Sequence, residues 1–454
     1  MSTSVPVLIG NRGRFSCTSD RATQQEPVSG LSVVNAKPPE FDAVPPAGNR
    51  ISLRVCMVTY TFYESDSRAM RYAEALADRG DQVEVFSLRR AGTGLTENLN
   101  GVRIHRLQGR IFNESGRFSY IWRLLLFLLR AFWQVSVRDL RERYDLVHVH
   151  SVPDFLVFSA LIPRLRKTPV VLDIRDILPE LYASKFKVTE RSIGFRFLCA
   201  VEWLSAKFAS HVVVANHPWQ ERLYSRSVKP GGCSVILNVP DRSIFRPTTD
   251  TAEVDGRFHL LYHGTLNPHQ GLDLAVRAFA RIKDRAPDAD FHIYGDGPSK
   301  RELFELIDQL NLEGRVVLHE RKPLREISKI LETAKLGIVP KRKDRFGNEA
   351  FSTKTLEFMA MGIPVIVSDT KVDRLYLNDS IVRFFRGEDE EDLANCMLDL
   401  ISHSDKRKAL AEPASRFVAQ NDWALRKEDY FTLIDTLTTE AITDVVPSQP
   451  APAP

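Results

Sequence analysis

Cysteine is scarce in this chain and nowhere clustered. The five residues Cys17, Cys56, Cys199, Cys233 and Cys396 are odd in number and never spaced C-x-x-C. That excludes a disulfide framework and a thiolate zinc site, and fits reduced thiols in a cytosolic compartment. Charge imbalance is also missing. The 62 Lys and Arg against 58 Asp and Glu leave only +4, too little for a dedicated nucleic-acid binder with its basic stripe. A dinucleotide fingerprint is missing as well. G-x-G-x-x-G should follow the first strand of a dehydrogenase domain, where glycine lets a pyrophosphate reach the backbone. Here that strand runs into YTFYESDSR, and HGTLNPHQG and YGDGPSK miss the spacing. No Asp-x-Asp follows a strand: Asp288–Asp290 precedes ADFHIYG and reads as a solvated turn. With no metal-ligand cluster legible, no metal is expected. Residues 1–50 lack both periodic apolar patterning and an apolar core of signal-peptide length. They read as a disordered, non-secretory extension, and the Pro/Ala-rich 441–454 as a disordered tail.

What is present is a strand–helix alternation. Apolar residues make up 43% of the 454, enough for more than one sizeable core. RVCMVTY, QVEVFSL, VRIHRL, YDLVHVH, TPVVLDIRD, HVVVAN and CSVILN are short apolar runs separated by helical stretches. The rhythm breaks into a polar linker near Phe245–Gly256, then restarts with FHLLYHG, ADFHIYG, VVLHE, KLGIVP and PVIVSD. Alternation of this kind gives parallel sheets covered on both faces. The expected fold class is α/β, with two Rossmann-like doubly wound parallel-sheet domains facing an interdomain cleft. The boundaries fall at 51–250 and 257–415, with a C-terminal helix over 416–440 packing back across the domains. Ligands of such sheets lie beyond the carboxyl ends of the strands.

NEAFSTKTLEFMAMGIPVIVSD is the most informative segment. It puts Glu349 in a loop and Glu357 on the following helix, with Thr353 as the expected N-cap. A helix N-terminus offers unpaired N–H groups and a positive dipole end to a diphosphate, here at Ser352 and Thr353. Lys354 would add a full charge, and the two carboxylates suit sugar hydroxyls. On spacing alone, Lys354 and Glu357 are as readily a solvated i,i+3 pair worth a few tenths of a kcal/mol. As a glycosidase pair the two glutamates would stand ~12 Å apart on one helix, beyond the ~5–9.5 Å such enzymes use. In the first domain His148 and His150 share one strand face, and His150 falls at the carboxyl end. Arg175 and Asp176 follow the next strand, where Arg175 either touches substrate or pairs with Asp176.

SYIWRLLLFLLRAFWQVSVRDLRER is the most apolar stretch, yet Arg123 and Arg130 interrupt it, so it falls short of a clean ~20-residue span. Its tryptophans and arginines suit a helix lying on an anionic bilayer; they equally suit a helix packed on the sheet.

The E-x7-E segment resembles that of the family-four retaining glycosyltransferases. LYHGTLNPHQGLDLAVRAF, HIYGDGP, SVILNVPDRSIF and YDLVHVH extend the likeness over roughly residues 52–435. The resemblance implies the GT-B arrangement of the two domains and transfer from a nucleotide-sugar, UDP- or GDP-linked, to a glycan or lipid-linked acceptor. It implies no cofactor and a cytoplasmic enzyme, peripheral at the inner membrane face if the apolar helix docks there. It places Glu349 at the donor sugar, Glu357 at the ribose and Lys354 at the diphosphate, with Gly295 and Gly297 beside the nucleotide. His150 would join Glu349 and Lys354 in the catalytic set. Two departures stand out. Gly264 is followed by Thr265 where the family often has Arg, and Gln270 replaces a Lys. Lys354 then carries more of the phosphate charge, helped by Lys341 or Arg342. The same departures fit a degenerate nucleotide-sugar-binding subunit. In the first domain Asp66 and Arg68 replace a Gly-Gly turn, resembling an Asp-x-Arg subgroup.

Overall fold

The computed structural model describes residues 51–109, 117–186, 188–242, 244–247 and 256–443. The expected extension 1–50, most of the linker and the tail from 444 lie outside the described residues, as does Cys17. Cys56, Cys199, Cys233 and Cys396 are free thiols.

The first sheet contains β1 (Arg54–Phe62), β2 (Gln82–Arg89), β3 (Thr96–Leu99), β4 (Val102–Gly109), β5 (Leu146–His150), β6 (Val170–Ile174), β7 (His211–Val214) and β8 (Cys233–Val235). Their order is β3-β4-β2-β1-β5-β6-β7-β8, parallel except for the β3–β4 pair. The second contains β9 (Phe258–Thr265), β10 (Ala289–Asp296), β11 (Val316–His319), β12 (Leu336–Val339), β13 (Val365–Ser368) and β14 (Arg383–Phe385). It is parallel throughout, in the order β11-β10-β9-β12-β13-β14. In both, strand order reverses beside the first strand, so helices cover both faces and a crevice opens at the carboxyl edge. Buried parallel strands lose the polar alternation of half-exposed ones, and β5, β6, β7, β12 and β13 are buried at every position.

Local signals and structure part company in three places. FLVFSALIPRLR forms a 3-10 stretch over Asp154–Ala160 and a short helix, Leu161–Leu165: Pro163 fits only a first turn, so the α-helix does not extend back through 154–160. The expected C-terminal helix is two helices, Ser404–Ala419 and Trp423–Thr443. The second returns to the first domain, where Tyr430, Leu433 and Ile434 join Met57, Tyr72 and Val85 in one core cluster. Asp290 sits inside β10, not in a solvated turn, and is only 5% exposed. Its charge is matched by Arg257 Nε at 2.8 Å and His259 Nδ1 at 2.6 Å, partners distant enough in sequence to hide the burial.

The apolar stretch forms a single helix, Arg117–Arg141. Leu124, Phe127, Ala131 and Val135 bury one stripe against the first sheet, while Trp122, Leu125, Leu129 and Trp133 are exposed on the other.

Candidate active site between the two sheet edges

At the carboxyl edge of the second sheet, β9 and β10 end side by side with Gly264 opposite Gly295. Neither position has room for a side chain. A Cβ on Gly295 would stand 2.0 Å from the Gly264 carbonyl oxygen, and one on Gly264, at φ +127°, would stand 2.2 Å from Lys354 Cε. The bare backbone therefore admits the lysine stem across the end of β9. Gly297 lies against the backbone of Leu266 in the same way.

Lys354 belongs to the helix Thr353–Ala360, whose N-cap is Ser352 rather than Thr353. Thr353 is already helical, so the segment starts one residue earlier than its composition suggests. The Ser352 and Thr355 hydroxyls are buried without hydrogen-bond partners, as is His263 Nε2 at the end of β9. Burial pulls Lys354 below the usual lysine range, although Glu357 opposes that shift, and burial pushes Glu357 above the usual carboxylate range. Burial and the neighbouring lysine hold His263 down to about 3, so its ring is neutral beside Glu357, 3.3 Å away. The Lys354–Glu357 pair is thus not a solvated surface pair.

Gln270, at the position where the family often has a lysine, has a defined place. Tyr262 donates to its side-chain oxygen at 3.3 Å and to the Thr265 carbonyl at 2.8 Å, and Lys354 Nζ donates to the same Gln270 oxygen at 3.4 Å. Gln270 orients the lysine instead of adding a second charge. Lys341 and Arg342 are each held by acidic partners. Lys341 is buried on Asp373 at 2.7 Å, and Arg342 pairs with Asp273 and Glu388.

Glu349 lies in the loop before that helix, and its partner is in the other domain. Arg222, on the helix His217–Arg226 after β7, donates to both carboxylate oxygens, with Nε at 2.9 Å from Oε2. Asn216 donates its side-chain N–H to the Glu349 carbonyl at 2.9 Å. Phe346, three residues earlier, is packed in the first domain's core cluster near Trp219. Neither Arg222 nor Asn216 stood out in the sequence, because nothing local distinguishes them.

The first-sheet edge is tied together differently. Asp66 caps the helix Ser67–Asp78 by accepting from Ala69 N, and also accepts from Thr59, Thr61 and Arg175. Burial alone raises its pKa, but Arg175 and His150 outweigh it and hold the carboxyl at about 2. Arg68 donates twice at 2.9 Å to Asp173, on either oxygen, and once to the Ile236 carbonyl. His150 Nδ1 lies 3.0 Å from the same Asp173, while its ring stacks on Tyr72 and its Nε2 is buried without a partner. Tyr430 reaches from the C-terminal helix to His148 Nδ1 at 2.9 Å. Arg175 pairs with Asp66 at 2.5 Å, not with its neighbour Asp176. Asp176 is raised by burial to about 6, with Arg175 opposing the shift.

Two parallel α/β domains, whose facing carboxyl edges carry these groups, define the GT-B class. Solved structures agree: sucrose-phosphate synthase from Thermosynechococcus elongatus superposes with a TM-score of 0.70 at 19% identity, covering 86% of this chain and 100% of that one. Anabaena Alr3699/HepE in complex with UDP-glucose gives 0.66 at 16% identity, covering 85% and 100%. Residues 65–238 match the model of the glycosyl transferase 4-like domain and 248–417 that of glycosyl transferases group 1, which together take in both sheets. The chain belongs to this family and is a glycosyltransferase. Among relatives, it is 26% identical to the phosphatidylinositol N-acetylglucosaminyltransferase gpi3 subunit of Schizosaccharomyces pombe, covering 65% of this chain but 62% of that one. It is 24% identical to the D-inositol 3-phosphate glycosyltransferase of Arthrobacter sp., covering 80% and 88%.

Proposed function

We propose that the protein transfers a sugar with retention from a UDP- or GDP-sugar to a glycan or lipid-linked acceptor, without a metal at the reacting diphosphate. The observation that carries this reading is the Lys354 ammonium beside a helix N-terminus whose Ser352 and Thr355 hydroxyls are buried and unpartnered. The dipole end, the N–H groups and one cation together suit a leaving diphosphate, whose charge grows as the glycosidic bond breaks. Ser352, Thr353, Gly264 and Thr265 line the phosphates, Gly295 and Gly297 flank the nucleotide, and Glu357 takes the ribose hydroxyls. Glu349 orients the donor sugar while Arg222 fixes its carboxylate. His150, with Asp173 behind it, faces the acceptor side with Asp66, Arg68, Arg175 and Asp176. The leaving phosphate assists in removing the acceptor proton, so the protein needs no nucleophile of its own.

A membrane-borne acceptor is supported by the exposed stripe Trp122, Leu125, Leu129 and Trp133. The helix Ile193–Phe208, on the other side of the 154–160 turn, exposes Ile193, Phe197 and Leu204. Together with Arg123, Arg130 and Arg141, this apolar and basic surface suits the anionic headgroups of a cytoplasmic leaflet. Sedimentation with anionic vesicles, lost in Trp122→Glu/Trp133→Glu, tests that contact.

The function itself is tested by a thermal-shift screen of UDP-, GDP- and ADP-sugars, followed by transfer assays with and without EDTA. Stabilisation by a donor, with turnover that survives chelation, is expected. Donor binding without transfer or hydrolysis by the pure chain would establish instead a nucleotide-sugar-binding subunit. Thr265 and Gln270, uncharged at the usual basic positions, favour that second reading.

A further inference from the structure

At the opposite end of the second sheet, His259, Asp290 and His292 bring one ligand atom each to within 4.8 Å of one another. His259 is the second residue of β9, and Asp290 and His292 the second and fourth of β10. Residues two apart on a strand share a face, and the β9–β10 register sets Asp290 directly opposite His259. His292 Nε2 is buried, has no hydrogen-bond partner, and lies 3.3 Å from Asp290 Oδ1. His259 Nδ1 approaches the same oxygen to 2.6 Å. Bonds of ~2.0–2.2 Å around a tetrahedral zinc place ligand atoms about 3.3 Å apart. The His292–Asp290 spacing already has that value, and the His259–Asp290 spacing needs to open by about 0.7 Å to reach it.

The surroundings hold each ligand from behind. Arg257 Nε lies 2.8 Å from Asp290 Oδ2, leaving Oδ1 for an ion. His319, on β11, sets its Nε2 2.8 Å from His292 Nδ1. If His292 donates that Nδ1–H to His319, its Nε2 carries a lone pair, the tautomer that ligation requires. Tyr294 stacks on His319 at 4.1 Å between ring centroids and fixes the ring plane. His259 ligates through Nδ1 once its proton sits on Nε2.

We propose that His259 Nδ1, Asp290 Oδ1 and His292 Nε2 form a binding site for a zinc-class divalent ion. His319 and Arg257 are its outer shell, and a fourth position remains for water. The site is not catalytic. Asp290 lies six residues before the end of β10 at Asp296, about 20 Å from the cleft edge at ~3.3 Å per residue. It clamps the amino ends of β9 and β10, and it stands apart from the reading of the cleft proposed above.

The test is calorimetric titration of the chelator-treated full-length protein with zinc chloride, with cobalt(II) absorption as a coordination readout. Wild type is expected to bind one equivalent and to give the visible band of four-coordinate cobalt. His292→Gln should lose that equivalent. His319→Leu, which keeps all three ligands, should bind ~10- to 100-fold more weakly. His150→Ala, in the other His–His–Asp group of His148, His150 and Asp173, should bind as wild type does, and turnover of His292→Gln should match wild type. The proposal is overturned if wild type binds no saturable zinc, if His292→Gln and His319→Leu bind as wild type does, or if the equivalent disappears in His150→Ala.

Discussion

The two sheet edges that face each other across the cleft are built on opposite plans. On the first, the buried cations have their counter-charges within the domain: Arg68 on Asp173 and Arg175 on Asp66. On the second, Lys354 has an uncharged amide oxygen as its hydrogen-bond partner. A buried charge held by its counter-charge is fixed in place, whereas a cation on a neutral partner keeps its charge to offer an incoming anion. The first edge is a frame that fixes one imidazole. The second, on the function proposed above, receives an anion.

The largest effect is expected on the framed side. Asp173→Ala leaves Arg68 buried and uncompensated, which should cost about 3–5 kcal/mol of stability, read from denaturant unfolding. An unchanged unfolding midpoint would show that the web is not structural.

On the receiving side the cost should fall on turnover. Lys354→Ala should lose ~10²–10³ in kcat with the unfolding midpoint retained, because the cation meets the transition state more strongly than the ground state. Lys354→Arg should recover part, limited by the shape of the guanidinium. Steady-state kinetics with varied donor decides this, and near-normal kcat in Lys354→Ala would place the phosphate elsewhere.

Arg222 crosses from one plan to the other. Arg222→Leu should lower kcat/KM for the donor about tenfold, on the order of the 1.5 kcal/mol of one charge-assisted hydrogen bond. Glu349→Gln should give a similar loss, and the double variant no more than either alone. Full additivity in that cycle would mean the ion pair is irrelevant to donor placement.

The smallest effect is in pH. Burial holds Lys354 below the usual lysine range, so its positive form is complete only at lower pH and is lost as pH rises through the lowered value. Affinity for UDP should therefore fall a few-fold between about pH 7 and about pH 9, the part of the lysine titration that burial brings down. The fall should be absent in Lys354→Ala, with calorimetry at both pH values as the check.

The sequence exposed the second edge far better than the first. Gly264, Gly295, Lys354 and Glu357 fall in short contiguous segments, and apolar runs of strand length set the two-domain alternation around them. Thr353 as the N-cap was off by one residue, since both hydroxyl residues compete for the position and only backbone geometry separates them. What stayed hidden depends on register and on contacts between distant segments. Arg175 turned to Asp66, 109 positions away, instead of to adjacent Asp176. Arg222 met Glu349 across 127 positions. His259 and Asp290 are paired only because β9 and β10 align as they do. Spacing rules find ligands within one element and miss those assembled by a sheet.

The return of the helix Trp423–Thr443 to the first domain means that the backbone crosses between the domains twice. One crossing falls between β8 and β9 and the other at 420–422. Trp423 stands at the second crossing, packed against core clusters of both domains, with the Arg71 guanidinium over its ring at 5.7 Å. A body tethered at one point can tumble in any direction, but one tethered at two turns most freely about the line joining them. Any opening of the cleft is thereby expected to follow that line, like a door on a pair of pins. Arg222 and Glu349, paired across that gap, are the contact that such a turn would part.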